Sequence, residues 1–123
     1  MVLIMDRLAE KEAEFAHIIW ENEPVKAGRL ARICEPVLGW KRTTVYTVLK
    51  KLCDRGLFTT EEGIVKAVIS YDKYKELISD RIIEEEFGGS ISGFIRAYSK
   101  NKRIPLEEAV KIYKYIEISR VEK

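Results

Sequence analysis

The chain has 123 residues, which is enough for one compact domain or for a small domain with an appended region, and too few for two large cores. Hydrophobic residues make up 46% and charged residues 34%, a balance typical of a folded, helix-rich protein and not of a disordered one. The opening run Met1–Met5 is too short for a secretory signal or a membrane span, and Asp6 follows it at once. We therefore expect a cytoplasmic protein.

Charge is distributed unevenly along the chain, although the net charge is only +2. Residues 6–25 hold six acids and two bases, a net charge of −4, whereas residues 26–55 hold eight bases and two acids, a net charge of +6. A local field of this kind attracts polyanions even when the whole molecule is nearly neutral. Residues 26–55 are therefore the first candidates for binding nucleic acid.

Apolar residues at helical spacing predict two helices before residue 40. The first runs from about Glu10 to Glu21, and its apolar face carries Phe15, Ile18 and Ile19, with Trp20 beside them. After the sequence ENEP, a second helix is predicted within VKAGRLARICEPVLG, with an apolar face of Leu30, Ile33 and Cys34 and, away from that face, Lys26, Arg29 and Arg32. Pro36 and Gly39 are predicted to close this second helix.

The stretch GWKRTTVYTVLKKLCDRGL predicts a third helix with two contrasting faces. Its apolar face carries Val45, Val48, Leu49 and Leu52, and Gly56 is suited to a C-terminal cap because glycine readily adopts the left-handed conformation. The outward face carries Lys41, Arg42, Thr43, Thr44, Tyr46, Thr47, Lys50 and Lys51. An ordinary surface helix mixes acids with bases, but this stretch has no acid before Asp54. The pattern predicts a negatively charged partner.

The sequence LFTTEEGIVKAVISY changes to a strand-like pattern and predicts strand, Glu-Glu-Gly turn, strand. Three short helices followed by a two-stranded hairpin are the layout of a winged helix-turn-helix, in which the second helix of the motif lies in the major groove.

The outward face of the third helix predicts DNA contact, because arginine can bind a guanine edge, threonine offers a methyl group to thymine, and lysines neutralise phosphates. Lys66 in the wing is a weaker candidate, because a single lysine there often only blocks edge pairing.

After Tyr71 the pattern is helical again, with breaks at Gly88-Gly89 and at NKRIP, and with Pro105 suited to begin the last helix. About fifty residues of short helices without a disulfide would bury too little surface to be stable alone. A two-fold homodimer is therefore predicted. The apolar residues predicted to form it are Tyr74, Leu77, Ile78, Ile82, Phe94, Ile112 and Ile116.

The predicted architecture is mainly α with a small β wing. It comprises a winged helix-turn-helix DNA-binding domain at residues 1–71 and a helical dimerisation domain at residues 72–123.

The sequence offers no metal-ligand spacing, because it has only Cys34, Cys53 and a single histidine, His17. We therefore expect no metal and no cofactor, and we expect both cysteines to pack as small apolar residues. No phosphate-binding glycine loop or glycine-framed serine is present, and we expect no enzyme. The acid run Glu84–Glu86 is interpreted as a solvated helix face.

Three segments resemble the penicillinase repressor family of bacterial transcription regulators: IIWENEPVKAGRLA, GWKRTTVYTVLKKLCDRGL and FGGSISGFIRAY. The shared pattern is Trp20 at the end of the first helix, Trp40 before a threonine-rich recognition helix, the pair Leu52 and Gly56, and a downstream double glycine. The resemblance covers about Leu8 to Ile118. It implies a winged-helix domain, a helical dimerisation domain and repression by a homodimer on a palindromic operator. The family's DNA-contacting positions fall on Lys41, Arg42, Thr43, Thr44, Tyr46 and Thr47, whereas both tryptophans fall on packing positions.

The chain also departs from the family pattern. Family members under a membrane sensor-protease are cut at an Asn-Phe bond, which makes a regulatory protease a candidate partner, but the corresponding pair here is Arg96-Ala97. The copper-responsive branch carries a C-terminal cysteine cluster, whereas this chain has no cysteine after Cys53. The wing is shorter than usual, and Ala13 replaces a tryptophan frequent in the first helix.

The serious alternative is a winged helix that binds another protein and not DNA, because the fold supports both uses. The acid-free face from Lys41 to Lys51 favours DNA, since a protein-binding variant would have little reason to keep it. For any one of these residues taken alone, a solvated basic helix explains the pattern equally well.

Overall fold

The computed structural model describes residues 7–121, and the prediction for Met1–Asp6 lies outside them. The chain divides into two compact units, up to residue 82 and from residue 83 onward. In chain order the elements are α1 (Glu10–Asn22), β1 (Val25–Lys26), α2 (Ala27–Leu38), α3 (Arg42–Asp54), β2 (Phe58–Glu61), β3 (Ile64–Ala67), α4 (Tyr71–Phe87), α5 (Ile91–Ser99) and α6 (Leu106–Ser119). The predicted fold class, mainly α with a small β wing, is confirmed.

The wing is part of a three-stranded antiparallel sheet with the order β1-β3-β2. Phe58 pairs with Ala67 and Glu61 with Ile64, which makes the predicted hairpin. The third strand differs from the sequence prediction, which includes Val25 in the segment of the second helix. Val25 instead pairs with Val65 and is buried. A strand of two residues is too short to show a periodicity, so only pairing with a distant partner reveals it.

Helix α2 does not end at Pro36, and the prediction that Pro36 helps to close it was wrong. Pro36 lies inside the last turn, and the helix continues to Leu38. Proline removes a single backbone donor, whereas the remaining turn buries Leu38 in the core and lets the Gly39 N–H donate to the Glu35 carbonyl at 2.9 Å. Gly39, with φ at +71°, ends the helix as predicted.

The first unit has one hydrophobic core between α1, α2, α3 and the sheet. Its largest fully buried side chains are Phe15, Ile19, Leu30, Cys34, Val45, Leu52, Leu57, Phe58 and Val65. The predicted apolar faces of the first three helices therefore meet in this core, although Ile18 and Ile33 are only half-buried. Val48, which was also predicted to face inward, is only half-buried at its edge.

Trp20 of α1 packs against the beginning of α4 within the first unit. Its ring lies 5.2 Å from the rings of Phe58 and Tyr71 and 5.3 Å from the ring of Tyr74. Its indole N–H also donates a hydrogen bond to the Ile69 carbonyl at 3.0 Å. Residues 72–82, predicted as part of the dimerisation domain, lie in the first compact unit.

The second unit consists of the end of α4 with α5 and α6. Gly88 and Gly89 have φ values of +55° and +85°, and the Gly89 N–H donates to the Ile83 carbonyl, so the double glycine ends α4 as predicted. Ser90 then caps α5, because its Oγ accepts a hydrogen bond from the Gly93 N–H at 2.8 Å. No residue between 83 and 121 is buried.

Candidate nucleic-acid interface

The turn that precedes α3 orients this helix against the core. Gly39 in the left-handed conformation redirects the chain after α2, and Lys41 is extended, so that the helix begins at Arg42. Trp40, within this turn, packs on Phe15 with ring centroids 5.2 Å apart. Val45, Leu49 and Leu52 are buried, which leaves the opposite side of the helix open. This is the geometry of a helix-turn-helix whose second helix is exposed.

The eight residues predicted to contact DNA are all exposed: Lys41, Arg42, Thr43, Thr44, Tyr46, Thr47, Lys50 and Lys51. Successive residues of a helix lie about 100° apart, which puts Thr43 and Thr47 opposite the buried side. Tyr46 and Lys50 lie on the flank next to β2, where they line a shallow hollow with Thr59 and others. Lys51 lies on the other flank. The predicted residues therefore form one continuous polar surface, here called the α3 face.

The cations of the α3 face differ in their ion pairs. Lys50 pairs with Asp54 at 3.2 Å in an exposed i,i+4 pair, and Lys51 pairs with Glu12 of α1. Within residues 7–121, Lys41 and Arg42 have no acidic partner within 4.0 Å. These two cations flank the start of α3, where the first turn holds no acid and the helix dipole is positive. The N-terminal end of the α3 face is therefore the more strongly positive end.

Two further features shape the α3 face, one in its middle and one at its N-terminal end. The Thr47 hydroxyl donates to the Thr43 carbonyl at 2.9 Å, so its remaining lone pairs and its methyl group are available to a ligand. Arg32 on α2 lines a hollow of about 260 Å³ together with Trp40, Lys41 and Arg42, and Glu35 is the acid in the same lining. Arg32 was left out of the predicted site, although its position away from the apolar face of α2 was the signal that could have included it.

The wing carries acids at its tip. Glu61 ends β2, and the two turn residues, Glu62 and Gly63, have φ values of +53° and +78°, as a tight hairpin requires. Lys66 is exposed but lies within β3, opposite Thr59 and away from the tip. Carboxylates at the tip would repel phosphates. The wing therefore adds little positive charge to the surface formed by α3.

The remaining reactive groups do not form a second site. Cys34 is buried, and burial raises the pKa of its thiol to about 11, while Cys53 is half-buried with its sulfur 3.7 Å from the Thr60 hydroxyl oxygen. Among residues 7–121 there is no group of three or more histidine, cysteine or acidic side chains placed to hold a metal ion. In the same range, none of the helices combines the length and the hydropathy needed to cross a membrane.

Comparison with known proteins supplies an independent assignment. The family model for the penicillinase repressor matches residues 8–118, from the residues before α1 to the end of α6. No curated protein matches the chain. The family consists of DNA-binding transcription regulators and not of enzymes, which agrees with a winged helix-turn-helix that exposes a cationic second helix. Because the match extends over nearly the whole sequence, the chain belongs to the penicillinase repressor family.

Proposed function

We propose that the protein is a transcriptional repressor that binds a palindromic operator as a homodimer, with α3 in the major groove of each half-site. The observation that carries the proposal is the α3 face itself, which is exposed along its whole length and contains no acid before Asp54. A duplex presents one negative charge for about every 1.7 Å of its axis, which complements this surface.

Within the α3 face, residue chemistry suggests a division of roles. Thr43 and Thr47 are proposed to contact base edges, with Thr44 and Tyr46 beside them, because they occupy the outward side of the helix. Arg42 is proposed to join them because it is exposed at the first residue of the helix, and the early residues of a recognition helix reach base edges. Lys41 and Lys50 are proposed to contact phosphates. The acidic wing tip leaves α3 as the principal contact.

The homodimer is proposed because the C-terminal helices lack an interior in a single copy. From residue 71 to 121 no side chain is buried, and α6 exposes Leu106 by 79% and Tyr113 by 72%. Of the predicted dimer residues, Phe94 and Ile116 are exposed and the others are half-buried: Tyr74, Leu77, Ile78, Ile82 and Ile112. In the first unit, Tyr74, Ile78 and Ile82 also line an open, mainly apolar groove of about 590 Å³. Apolar surface of this extent is typical of an interface.

Selection of duplexes from a random pool tests the proposal. A palindrome with half-sites about one helical turn apart, bound with an affinity that falls steeply with salt, is the expected result. Binding that is absent or insensitive to salt would instead favour the alternative of a protein-interaction module. A matched comparison is the variant with Lys41 and Arg42 replaced by glutamine, which should bind all duplexes more weakly and select a motif that lacks the preference at one base pair in each half-site.

Location and regulation follow as further proposals. A repressor must reach the genome, so the cytoplasmic location follows from DNA binding. A regulatory protease is not part of the proposal, because Arg96 and Ala97, both exposed on α5, stand where the family's cleavage pair would be.

A further inference from the structure

The carboxylate of Glu12 links α1 to the recognition helix α3. Its Oε2 accepts a hydrogen bond from the Lys51 ammonium group, and its Oε1 lies 3.8 Å from Nη1 of Arg55, directly after the end of α3. The Ala9 backbone N–H also donates to Oε1, at 3.3 Å. One carboxylate thus has three donors around it, two of them cationic. We call Glu12, Lys51 and Arg55 the Glu12 cluster.

Two of the three side chains of the Glu12 cluster are much less exposed than the Lys50–Asp54 pair, whereas Lys51 itself is 59% exposed. The side chains of Glu12 and Arg55 are 15% and 11% exposed, whereas those of Lys50 and Asp54 are 78% and 65% exposed. An exposed pair on one helix forms and breaks readily, while a charged group with several hydrogen-bond partners and little water keeps its geometry. The hydrogen bond from Lys51 holds the pKa of Glu12 below its ordinary value, against the opposite effect of burial.

Lys50 and Lys51 line one shallow hollow with Thr47, Asp54 and Arg55, but their acidic partners differ. Lys50 lies on the flank of α3 next to β2, among Tyr46, Cys53 and Thr59. Lys51 lies about 100° further round, on the flank next to α1. A phosphate bound by Lys51 would come close to the Glu12 carboxylate, and the repulsion between them would cancel much of the attraction. Lys50 also has a carboxylate partner, Asp54 at 3.2 Å, but both side chains of that pair are mostly exposed, so a phosphate displaces Asp54 more readily than the half-buried Glu12.

We propose that Lys51 is a positioning residue and not a phosphate contact: the Glu12 carboxylate holds Lys51 and Arg55 so that α3 keeps its angle against α1. Contact with the duplex then falls to Lys41, Arg42 and Lys50 among the cations of the α3 face. This inference rests on the DNA-binding function proposed above and refines it, because it separates two neighbouring lysines that the sequence pattern treats as equivalent.

The salt dependence of DNA binding separates the two roles. Lys50→Gln and Lys51→Gln both remove one charge from a side chain that is more than half exposed, so neither leaves a buried cavity. The slope of log K against log salt is negative, and each lost phosphate contact reduces its magnitude by about 0.9. A dimer carries the substitution twice, so Lys50→Gln should reduce the magnitude of the slope by about 1.8. Lys51→Gln should leave the slope unchanged while affinity falls by the same factor at every salt concentration. An equal reduction in magnitude in both variants would overturn the proposal.

The unfolding free energy tests the positioning role of Lys51 in the absence of DNA. A double-mutant cycle of Glu12→Gln and Lys51→Gln, followed by urea unfolding, should show that the two substitutions are coupled. Lys51→Arg, which keeps a donor for Glu12, should restore wild-type affinity. If the wild-type protein shows no salt-dependent DNA binding, the proposed function fails; if the two substitutions are additive, the Glu12 cluster fails as a positioning device.

Discussion

The indole N–H of Trp20 donates a hydrogen bond to the Ile69 carbonyl at 3.0 Å, and this bond ties α1 to the segment that enters α4. Trp20→Phe keeps an aromatic ring but leaves the Ile69 carbonyl without this donor, which should cost about 1 kcal/mol beyond the lost contact area. Urea unfolding followed by circular dichroism measures this loss. Trp40→Phe is the control, since Trp40 packs on Phe15 and no hydrogen bond of its indole is found within residues 7–121. Equal losses in both variants would show that the Trp20 bond is not significant.

Two glycines in the first unit should respond in opposite directions to alanine. Gly39 has φ at +71°, and nothing lies within 4 Å of an added Cβ, so Gly39→Ala should lower the free energy of unfolding by about 1–2 kcal/mol through backbone strain alone. Gly28, inside α2, also has free space but an ordinary helical conformation. Gly28→Ala should therefore raise the stability by about 0.4–1 kcal/mol. Thermal unfolding of both variants checks the pair, and a stabilising Gly39→Ala would contradict it.

Arg42 and Lys41 should affect DNA binding differently although they are adjacent. Arg42→Ala should cost about 1–3 kcal/mol on the selected operator and relax the preference for one base pair in each half-site. Lys41→Ala should weaken binding to all duplexes alike and reduce the salt slope. Competition binding with single-base operator variants measures both effects. If Arg42→Ala left the base preferences unchanged, its proposed role in base recognition would be wrong.

A charge placed among the proposed dimer residues should separate the two copies. Leu77→Glu or Ile112→Glu is expected to give a folded monomer that loses operator affinity although the α3 face is intact, because two half-sites must be engaged together. Sedimentation and operator binding are the measurements. Lys114→Glu is the control, since it lies about 200° from Ile112 on the same helix and should leave the dimer intact. A folded monomer that bound at full strength would refute the dimer proposal.

The stabilising effect of Glu12 should depend on pH with a defined sign. Because its pKa is lowered in the folded protein, the carboxylate stabilises the fold above about pH 4.5, and this contribution is lost as the pH falls through the lowered value. The difference in unfolding free energy between the wild type and Glu12→Gln should therefore be largest near neutral pH and shrink in acid. Glu10→Gln, an exposed acid of the same first turn, is the control and should give a smaller difference near neutral pH. A difference that grew in acid would contradict the ion-pair assignment.

Much of the fold could be predicted because the residues that define each helix are close to one another in sequence. The spacing of Val45, Leu49 and Leu52 predicts both the helix and its buried side, and the same spacing makes the exposure of Thr43 and Thr47 a consequence. The glycines at positions 39 and 56 mark helix ends for a reason intrinsic to glycine. Elements of this kind depend on neighbours in sequence, so the sequence by itself determined them.

Other features depend on partners that are distant in sequence, and only the tertiary structure decided them. Val25 forms a strand because Val65 lies beside it, and α2 continues past Pro36 because Leu38 can enter the core. In the candidate interface, periodicity treats Lys50 and Lys51 alike, whereas the tertiary structure brings Glu12 of α1 to Lys51 and not to Lys50. Charge along a chain is a property of its sequence, but the pairing of charges depends on which helices pack together.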